Sequence, residues 1–269
     1  MKSKTYMIAW DGCLENALDI HSQLSESGID YLVWNVSSQD IDDKHWVRAE
    51  DVRYYGHFWN SLKDFRDSDF DIFIFNAGDP EYAHYAELTG RIENLFESDE
   101  NIGVFAPSIR NDAFSDHQSS IQASVKHEGL YLSTMTNGIY VAMSRDIATM
   151  FADYMDQAVK DGDIVLGVMQ SGWGIDVAYC TLSMCLNKKV YRGITKLDHP
   201  LPSSYDHGKA NKEYGRVFNS FVKYVHNYGL DEHQVALVMN QVLRSPYLAQ
   251  SGGLRVKDFY PNLSGKLDI

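Results

Sequence analysis

The sequence predicts an α/β fold: a mainly parallel sheet flanked by helices, followed by a helical C-terminal extension. Three observations carry this. An apolar run at 5–10 (TYMIAW), a helical repeat of apolar positions and a second apolar run at 31–36 (YLVWNV) form a strand–helix–strand opening. Such an opening favours parallel strands joined by a right-handed crossover. The run DIFIF at 71–75 is the clearest strand in the chain, and its unbroken apolar character suits a strand covered on both faces. The alternation of strands and helices continues to about residue 194 and then stops.

Each element follows from local pattern. The first strand ends at Asp11-Gly12, a turn pair. Leu14, Ala17, Leu18, His21 and Leu24 recur at helical spacing, and Gly28 stops that helix. The second strand ends in Ser37-Ser38, and the polar, aromatic stretch 40–70 holds a helix near 58–66. After the strand at 71–75 come Asn76-Ala77-Gly78-Asp79-Pro80, a helix at 83–97 and a strand at 102–105. Residues 110–128 are polar and read as loop, and IYVAM at 139–143 as strand. The next helix carries Ile147, Met150, Phe151, Tyr154 and Met155 on one face, and IVLGV at 164–168 is a short apolar run. Gly172-Trp173-Gly174 leads into a helix at about 176–187 and a strand near 189–194. Beyond His199 the chain is polar over 203–215, helical over 216–227 and again over 232–244, where Asp231 is a cap, and irregular at its end. The expected division is a main domain over 1–225 and a helical or irregular extension over 226–269.

Composition narrows the function. The chain has 269 residues, 44% of them hydrophobic, which is enough for one large α/β domain. Its net charge of −13 repels the phosphate backbone, so nucleic acid is not an expected partner. An anionic nucleotide needs a metal ion or a local basic group to bind such a protein. Aromatics make up 13% of the chain; they fill cores, and their faces also pack on sugar rings. Cys13, Cys180 and Cys185 match no zinc or redox spacing, and Cys180 and Cys185, in an apolar run, read as buried thiols of a reducing compartment. No run reaches the length of a membrane span and the N-terminus does not read as a signal peptide, so the expected location is cytoplasmic.

Four constellations can carry chemistry. Asp79 follows the 71–75 strand after a small Ala-Gly pair, at the strand end where open α/β sheets bind ligands. A carboxylate there suits a hard divalent ion on a diphosphate, although a turn Asp before Pro80 has the same composition. Asp176 stands at a helix start behind Gly172-Trp173-Gly174. It reads either as an N-cap, which stabilises a helix by ~1 kcal/mol, or as a carboxylate set beside an aromatic ring, as a sugar site requires. His199 ends the segment Leu197-Asp198-His199 before Pro200 and offers an imidazole to Mn²⁺, or is an ordinary surface histidine. Tyr205, Lys209, Lys212 and Arg216 form a basic cluster, either a diphosphate site or a solvated helix face.

Taken in order, these pieces resemble the nucleotide-diphospho-sugar transferase fold, called GT-A among glycosyltransferases, over roughly residues 5–225. The resemblance implies a glycosyltransferase that moves a sugar from a nucleotide-sugar donor, a UDP- or GDP-sugar, to a glycan or other hydroxyl acceptor. Asp79 resembles the last carboxylate of the family's Asp-x-Asp metal motif, whose first Asp is here replaced by Ala77, with Asn76 before it. His199 resembles the late metal-binding histidine, so Asp79 and His199 are the expected ligands of Mn²⁺ or Mg²⁺. Asp176 resembles the acid that deprotonates the acceptor in inverting enzymes. Trp10, Asp11 and Asn35 match the nucleotide side, joined there by Asn76, Asp79 and Lys209. Asn137-Gly138-Ile139-Tyr140 with Arg145 resembles the strand behind the acceptor. Trp173, Pro107, Ser108 and Arg110 are the expected acceptor lining, reached from a loop at 106–117. Two alternatives stand beside this reading: a nucleotidyltransferase, against which the acidic, single-glycine turn at 11–15 counts, and a non-catalytic sugar-binding module.

Overall fold

The computed structural model describes residues 1–110, 120–169, 174–199, 207–225, 227, 229–231 and 235–238. The opening strand β1 (Ser3–Ala9) leads through a 3-10 turn at Asp11–Cys13 into α1 (Leu14–Glu26), and β2 (Asp30–Asn35) pairs parallel to β1. A three-residue strand, β3 (Trp46–Arg48), lies parallel to β2 at the sheet edge, and α2 (Arg53–Arg66) follows. Next come β4 (Ile72–Asn76), α3 (Tyr85–Ser98), β5 (Ile102–Arg110), a hairpin of β6 (Ser120–Ala123) and β7 (Leu130–Ser133), β8 (Tyr140–Ser144) and α4 (Arg145–Lys160). The remaining elements are α5 (Ile175–Cys185), β9 (Lys189–Asp198) and α6 (His207–Val225).

The nine strands form one sheet in the order β3-β2-β1-β4-β8-β5-β9-β7-β6. Within it β8 and β7 run against the other strands, so the sheet is mixed but mostly parallel in direction. Side chains alternate along β4: Phe73 and Phe75 enter the core on one face, Ile72 and Ile74 the core on the other. The first core packs against α2, α4, α5 and α6, the second against α1 and α3. All five residues of β4 are buried, which explains the continuous apolar run.

Several expectations need correction. Leu18 is exposed, and Ile20 takes its place in the buried stripe of α1. The expected 102–105 strand continues to Arg110, because Pro107 falls where the β5–β9 register shifts and no ladder N–H is needed. Residues 106–110 are therefore strand, not loop. The supposed loop at 110–128 contains β6, and β3 and β7 were not anticipated; all three are short edge-side strands. The run 164–168 forms turns, with Gly167 at φ +73° and Val168 exposed. The helix expected over 216–227 begins at His207. Most of 226–269 lies outside the described residues, but Val235 and Ala236 are buried in the same core as α6. The three cysteines are buried thiols, and burial pushes each up to about 12. Among the described residues no helix is long and apolar enough to cross a membrane.

One buried polar group gives a test of the core. His57 of α2 is 1% exposed and neither ring nitrogen has a hydrogen-bond partner. Burial lowers its pKa to about 4, whereas an unfolded chain titrates near the ordinary value of ~6.5. The unfolded state therefore binds more protons between those values, and stability falls as the pH drops through them. His57→Leu should remove about 2 kcal/mol of the loss between pH 7 and pH 5 and leave the pH 7 stability equal or higher, because an unpartnered polar group is gone. Urea unfolding of both proteins at the two pH values checks this. An identical pH 7-to-5 loss in the variant would show that His57 is not the responsible group.

Candidate functional site

The carboxyl ends of β1, β2, β4, β5 and β9 meet at one rim of the sheet, the edge at which such sheets bind ligands. The turn after β4 reaches along this rim past the ends of β8 and β5. Glu81 and Asp198 exchange backbone hydrogen bonds (2.6 and 3.0 Å), which clamps the turn to the end of β9. This brings together two side chains 120 residues apart: His199 Nε2 lies 3.0 Å from Asp79 Oδ2. The other carboxylate oxygen of Asp79 is buried and has no hydrogen-bond partner. An ionised oxygen without a partner beside an imidazole fits a divalent cation, with phosphate oxygens and water completing the shell.

The turn depends on Gly78. Its φ of +91° is left-handed, and a Cβ there would stand 1.9 Å from the Ile8 carbonyl oxygen of β1. Asn76, fully buried, accepts the Gly78 N–H through Oδ1 (2.9 Å), and Asn16 donates to the Gly78 and Pro80 carbonyls (2.8 and 2.7 Å). Asn76 thus shapes the turn from below. Asp198 also pairs with Arg110 (3.2 Å), which sets an exposed guanidinium next to His199.

On the β1–β2 side, Trp10 is partly buried against the core, and Asp11 is held by Ser38, whose backbone N–H and hydroxyl donate to Oδ1 (2.6 and 2.8 Å). These bonds keep the Asp11 carboxyl below its ordinary value. Asn35 is buried and organises its own loop. Its Oδ1 accepts the Ser37 N–H and hydroxyl, and its Nδ2 donates to the Gln39 carbonyl (2.9 Å).

Asp176 belongs to α5, which is tied to the β4 turn through the residues before β8. Ala77 N–H donates to the Ile139 carbonyl (2.8 Å), the Tyr54 hydroxyl to the Gly138 carbonyl, and the Tyr179 hydroxyl to the Asn137 carbonyl (3.1 Å). Tyr179 belongs to α5, whose N-cap is Gly174 at φ +96°. Asp176 is therefore the second residue of the helix rather than its cap, and its Oδ1 accepts the Gly174 and Val177 N–H groups (3.1 and 2.9 Å). A Cβ at Gly174 would stand 3.2 Å from Tyr214 and Val217 of α6, a tight fit on top of its left-handed φ. Around Asp176 the tyrosines are held protonated. Burial first, and then the Asp176 charge, pushes the Tyr214 hydroxyl well above its ordinary value. Tyr55 is raised by burial, then by Glu213, then by Asp176. Glu213, which sequence reasoning left in a polar segment, is 6% exposed; its signal was its place between Tyr214 and apolar neighbours one helical turn on.

The remaining candidates divide. Pro107 and Ser108 are buried inside β5, while Arg110 stands at its end beside the Asp79–His199 pair. Trp173 and Tyr205 lie outside the described residues, as does the side chain of Lys209 in the first turn of α6. Lys212 is exposed, and Arg216 donates to the Gly162 carbonyl (2.9 Å).

No protein-family model matches the chain, and no curated protein matches it in sequence. Among solved structures it is similar to S. aureus TarS 1-349, with a TM-score of 0.50 at 10% identity, covering 100% of this chain and 75% of that one. The chain has the GT-A fold of nucleotide-diphospho-sugar transferases. M. tuberculosis glucosyl-3-phosphoglycerate synthase is a more distant likeness of this GT-A chain, at a TM-score of 0.42 and 12% identity over 82% of this chain and 80% of that one. A UDP-glucose pyrophosphorylase complexed with UDP-glucose stands similarly, at 0.44 and 10% over 84% and 100%.

The rim makes Gly78 a sensitive position. Gly78→Ala should destabilise the protein by 2 kcal/mol or more, on the order expected for a side chain forced into the left-handed region against a carbonyl. A thermal melt measures this, and an unchanged melting temperature would mean that the turn relaxes freely.

Proposed function

We propose that this protein is a metal-assisted glycosyltransferase that moves a sugar from a UDP- or GDP-sugar to a hydroxyl of a glycan or similar acceptor. The observation that carries the reading is the Asp79–His199 pair, with its unpartnered carboxylate oxygen, on the ligand-binding rim of a GT-A sheet. Asp79 and His199 would hold Mn²⁺ or Mg²⁺, which when bound supplies positive charge to the departing diphosphate. In a chain of net charge −13 that charge favours binding of an anionic donor. Arg110, beside His199, adds a second cation at the same place.

Asp176 takes the proton of the acceptor hydroxyl. As it does so, the acceptor oxygen forms its bond to the anomeric carbon, and the bond from that carbon to the diphosphate oxygen breaks. General-base assistance of this kind is worth about 10²–10⁴-fold. One base, with no nucleophile assigned opposite it among the described residues, favours inversion at the anomeric carbon. Trp10 and the Asp11–Ser38 turn form the nucleotide end of the cleft, with Lys209 as a further donor contact. Trp173 and Arg110 face the acceptor, and Pro107 and Ser108 support that wall from within β5. The location is cytoplasmic in this reading, and residues 226–269 form a helical extension of the transferase domain.

Nucleotidyl transfer on the same sheet is the competing chemistry, and the acidic turn at Asp11, tied to Ser38 rather than open to phosphate, argues against it. Incubation with nucleotide sugars and Mn²⁺ separates the two. Release of UDP or GDP supports sugar transfer, whereas pyrophosphate release from a nucleoside triphosphate supports the other.

The metal role has its own test. Calorimetric affinity for UDP or GDP should fall tenfold or more when EDTA replaces Mn²⁺, and Asp79→Asn should show the EDTA affinity in both conditions. Equal affinity with and without the ion would remove Asp79 and His199 from the donor site.

For the base, Asp176→Asn is the informative change. Asn still offers an oxygen to the Gly174 and Val177 N–H groups, and losing the charge at a helix start costs only ~0.3–1 kcal/mol. The variant should therefore melt near the wild type and keep its donor affinity while turnover falls by ~10²-fold or more. Retention of over half the turnover would return Asp176 to a structural role.

A further inference from the structure

A second group of metal-binding side chains sits on the other wing of the sheet, where β3 forms the free edge. His21 projects from α1, and Asp43 and His45 come from the loop that enters β3. One ligand atom from each lies within 4.8 Å of the other two, and all three residues are half-buried. Neighbours hold the group in place. His45 Nδ1 is 3.0 Å from Asp43 Oδ1, and its ring stacks on Tyr31 with centroids 4.2 Å apart. The Tyr31 hydroxyl lies 2.7 Å from His21 Nδ1, and the Trp46 indole N–H donates to the same nitrogen (3.1 Å).

A hydrogen-bonded polar edge also protects a sheet from pairing with other chains, but three features exceed that role. Two imidazoles and a carboxylate converge from a helix and a loop. No Lys or Arg pairs with Asp43 among the described residues. Tyr31 fixes the ring of His21 from behind, as outer partners of metal-bound histidines do. We propose that His21, Asp43 and His45 form a binding site for a borderline divalent ion such as Zn²⁺, separate from the Asp79–His199 pair. Imidazole donors favour Zn²⁺, Co²⁺ or Ni²⁺ over Mg²⁺, and three protein ligands leave a fourth position for water. Such an ion ties α1 to the β2–β3 loop, whose other end holds Asp11 through Ser38 and is gripped by Arg48 at the Ser37 and Gln39 carbonyls.

The proton positions single out Trp46. An indole N–H is only a donor, so it faces an unprotonated His21 Nδ1, and the proton of the neutral ring is on Nε2. An ion on Nδ1 displaces the indole. An ion on Nε2 moves the ring proton to Nδ1, which then confronts the indole N–H with a second donor. By either route Trp46 loses its acceptor, so Trp46 both reports on the ion and competes with it.

The experiment uses the full chain carrying His199→Gln, so that the rim histidine contributes nothing. The variant is titrated with ZnCl₂ and with MgCl₂ by calorimetry and by tryptophan fluorescence. The expected result is one Zn²⁺ site at least tenfold tighter than any Mg²⁺ binding, with a fluorescence change. Adding His21→Gln or His45→Gln should weaken Zn²⁺ tenfold or more. Adding Trp46→Phe should keep or raise the affinity and abolish the fluorescence change. Melting in EDTA identifies any variant that fails to fold, and folded Asp43→Asn then replaces it with the same expected loss. No Zn²⁺ binding, or Zn²⁺ affinity within twofold across the folded ligand variants, overturns the site; the latter means adventitious histidines elsewhere. None of these outcomes depends on whether the protein transfers sugars.

Discussion

The antiparallel insertion of β8 between β4 and β5 organises the rest of the molecule. Because β8 runs against both neighbours, its first residues, rather than its last, lie at the rim where β1, β4, β5 and β9 end. The segment Asn137-Gly138-Ile139 therefore becomes a shared acceptor strip of carbonyl groups. Ala77 binds it from the β4 turn, Tyr54 from α2 and Tyr179 from α5. Without that reversal the Asp79 turn and the start of α5 would have no common support. Gly138 is part of the fit, since a Cβ there would come within 2.7 Å of the Tyr54 hydroxyl oxygen.

Charge placement follows from the same geometry. The rim gathers Asp79 and Asp198 in a protein that is already strongly anionic, and Arg110 neutralises only Asp198 directly. Elsewhere carboxylates are compensated inside the fold. Asp99, almost fully buried, is surrounded by Lys126, Lys189 and His127, which tie the β6–β7 hairpin to the start of β5. Burial alone would raise its pKa, yet the lysine and Asn101 bonds hold it well below the usual carboxylate range. The contrast is informative: a structural carboxylate is surrounded by cations, whereas Asp79 has one imidazole and an open oxygen.

Much of this was legible in the sequence because burial on both faces leaves a plain signature. DIFIF at 71–75 needed no context, and the strand–helix alternation placed Asp79 and His199 at strand ends although nothing local linked them. What escaped notice shares a physical cause. Strand β3 has one buried residue, Trp46, and β7 is buried only at its two ends, so neither shows a run or a clean alternation. Pro107 was placed in a loop because its tolerance within β5 depends on a register shift with a strand eighty-odd residues away. His21 read as one more position on a helix face; its meeting with Asp43 and His45 is set by the β2–β3 pairing, which periodicity does not contain.

The start of α5 is built differently from the helix cap that its sequence suggests. Asp at a helix start invites the reading of an N-cap, but the cap is Gly174, in a conformation that costs a side-chain-bearing residue strain. That left-handed turn directs the Gly174 N–H back toward the Asp176 carboxylate, while α6 closes over the glycine through Tyr214. The glycine therefore does two things at once: it admits α6, and it supplies one of two N–H groups that fix the carboxylate's orientation. An N-cap carboxylate faces its own helix by definition. With Asp176 two residues inside the helix, the cap is left to the backbone, and the Gly174 and Val177 N–H groups hold the carboxylate. Gly174 and Asp176 therefore form one local unit.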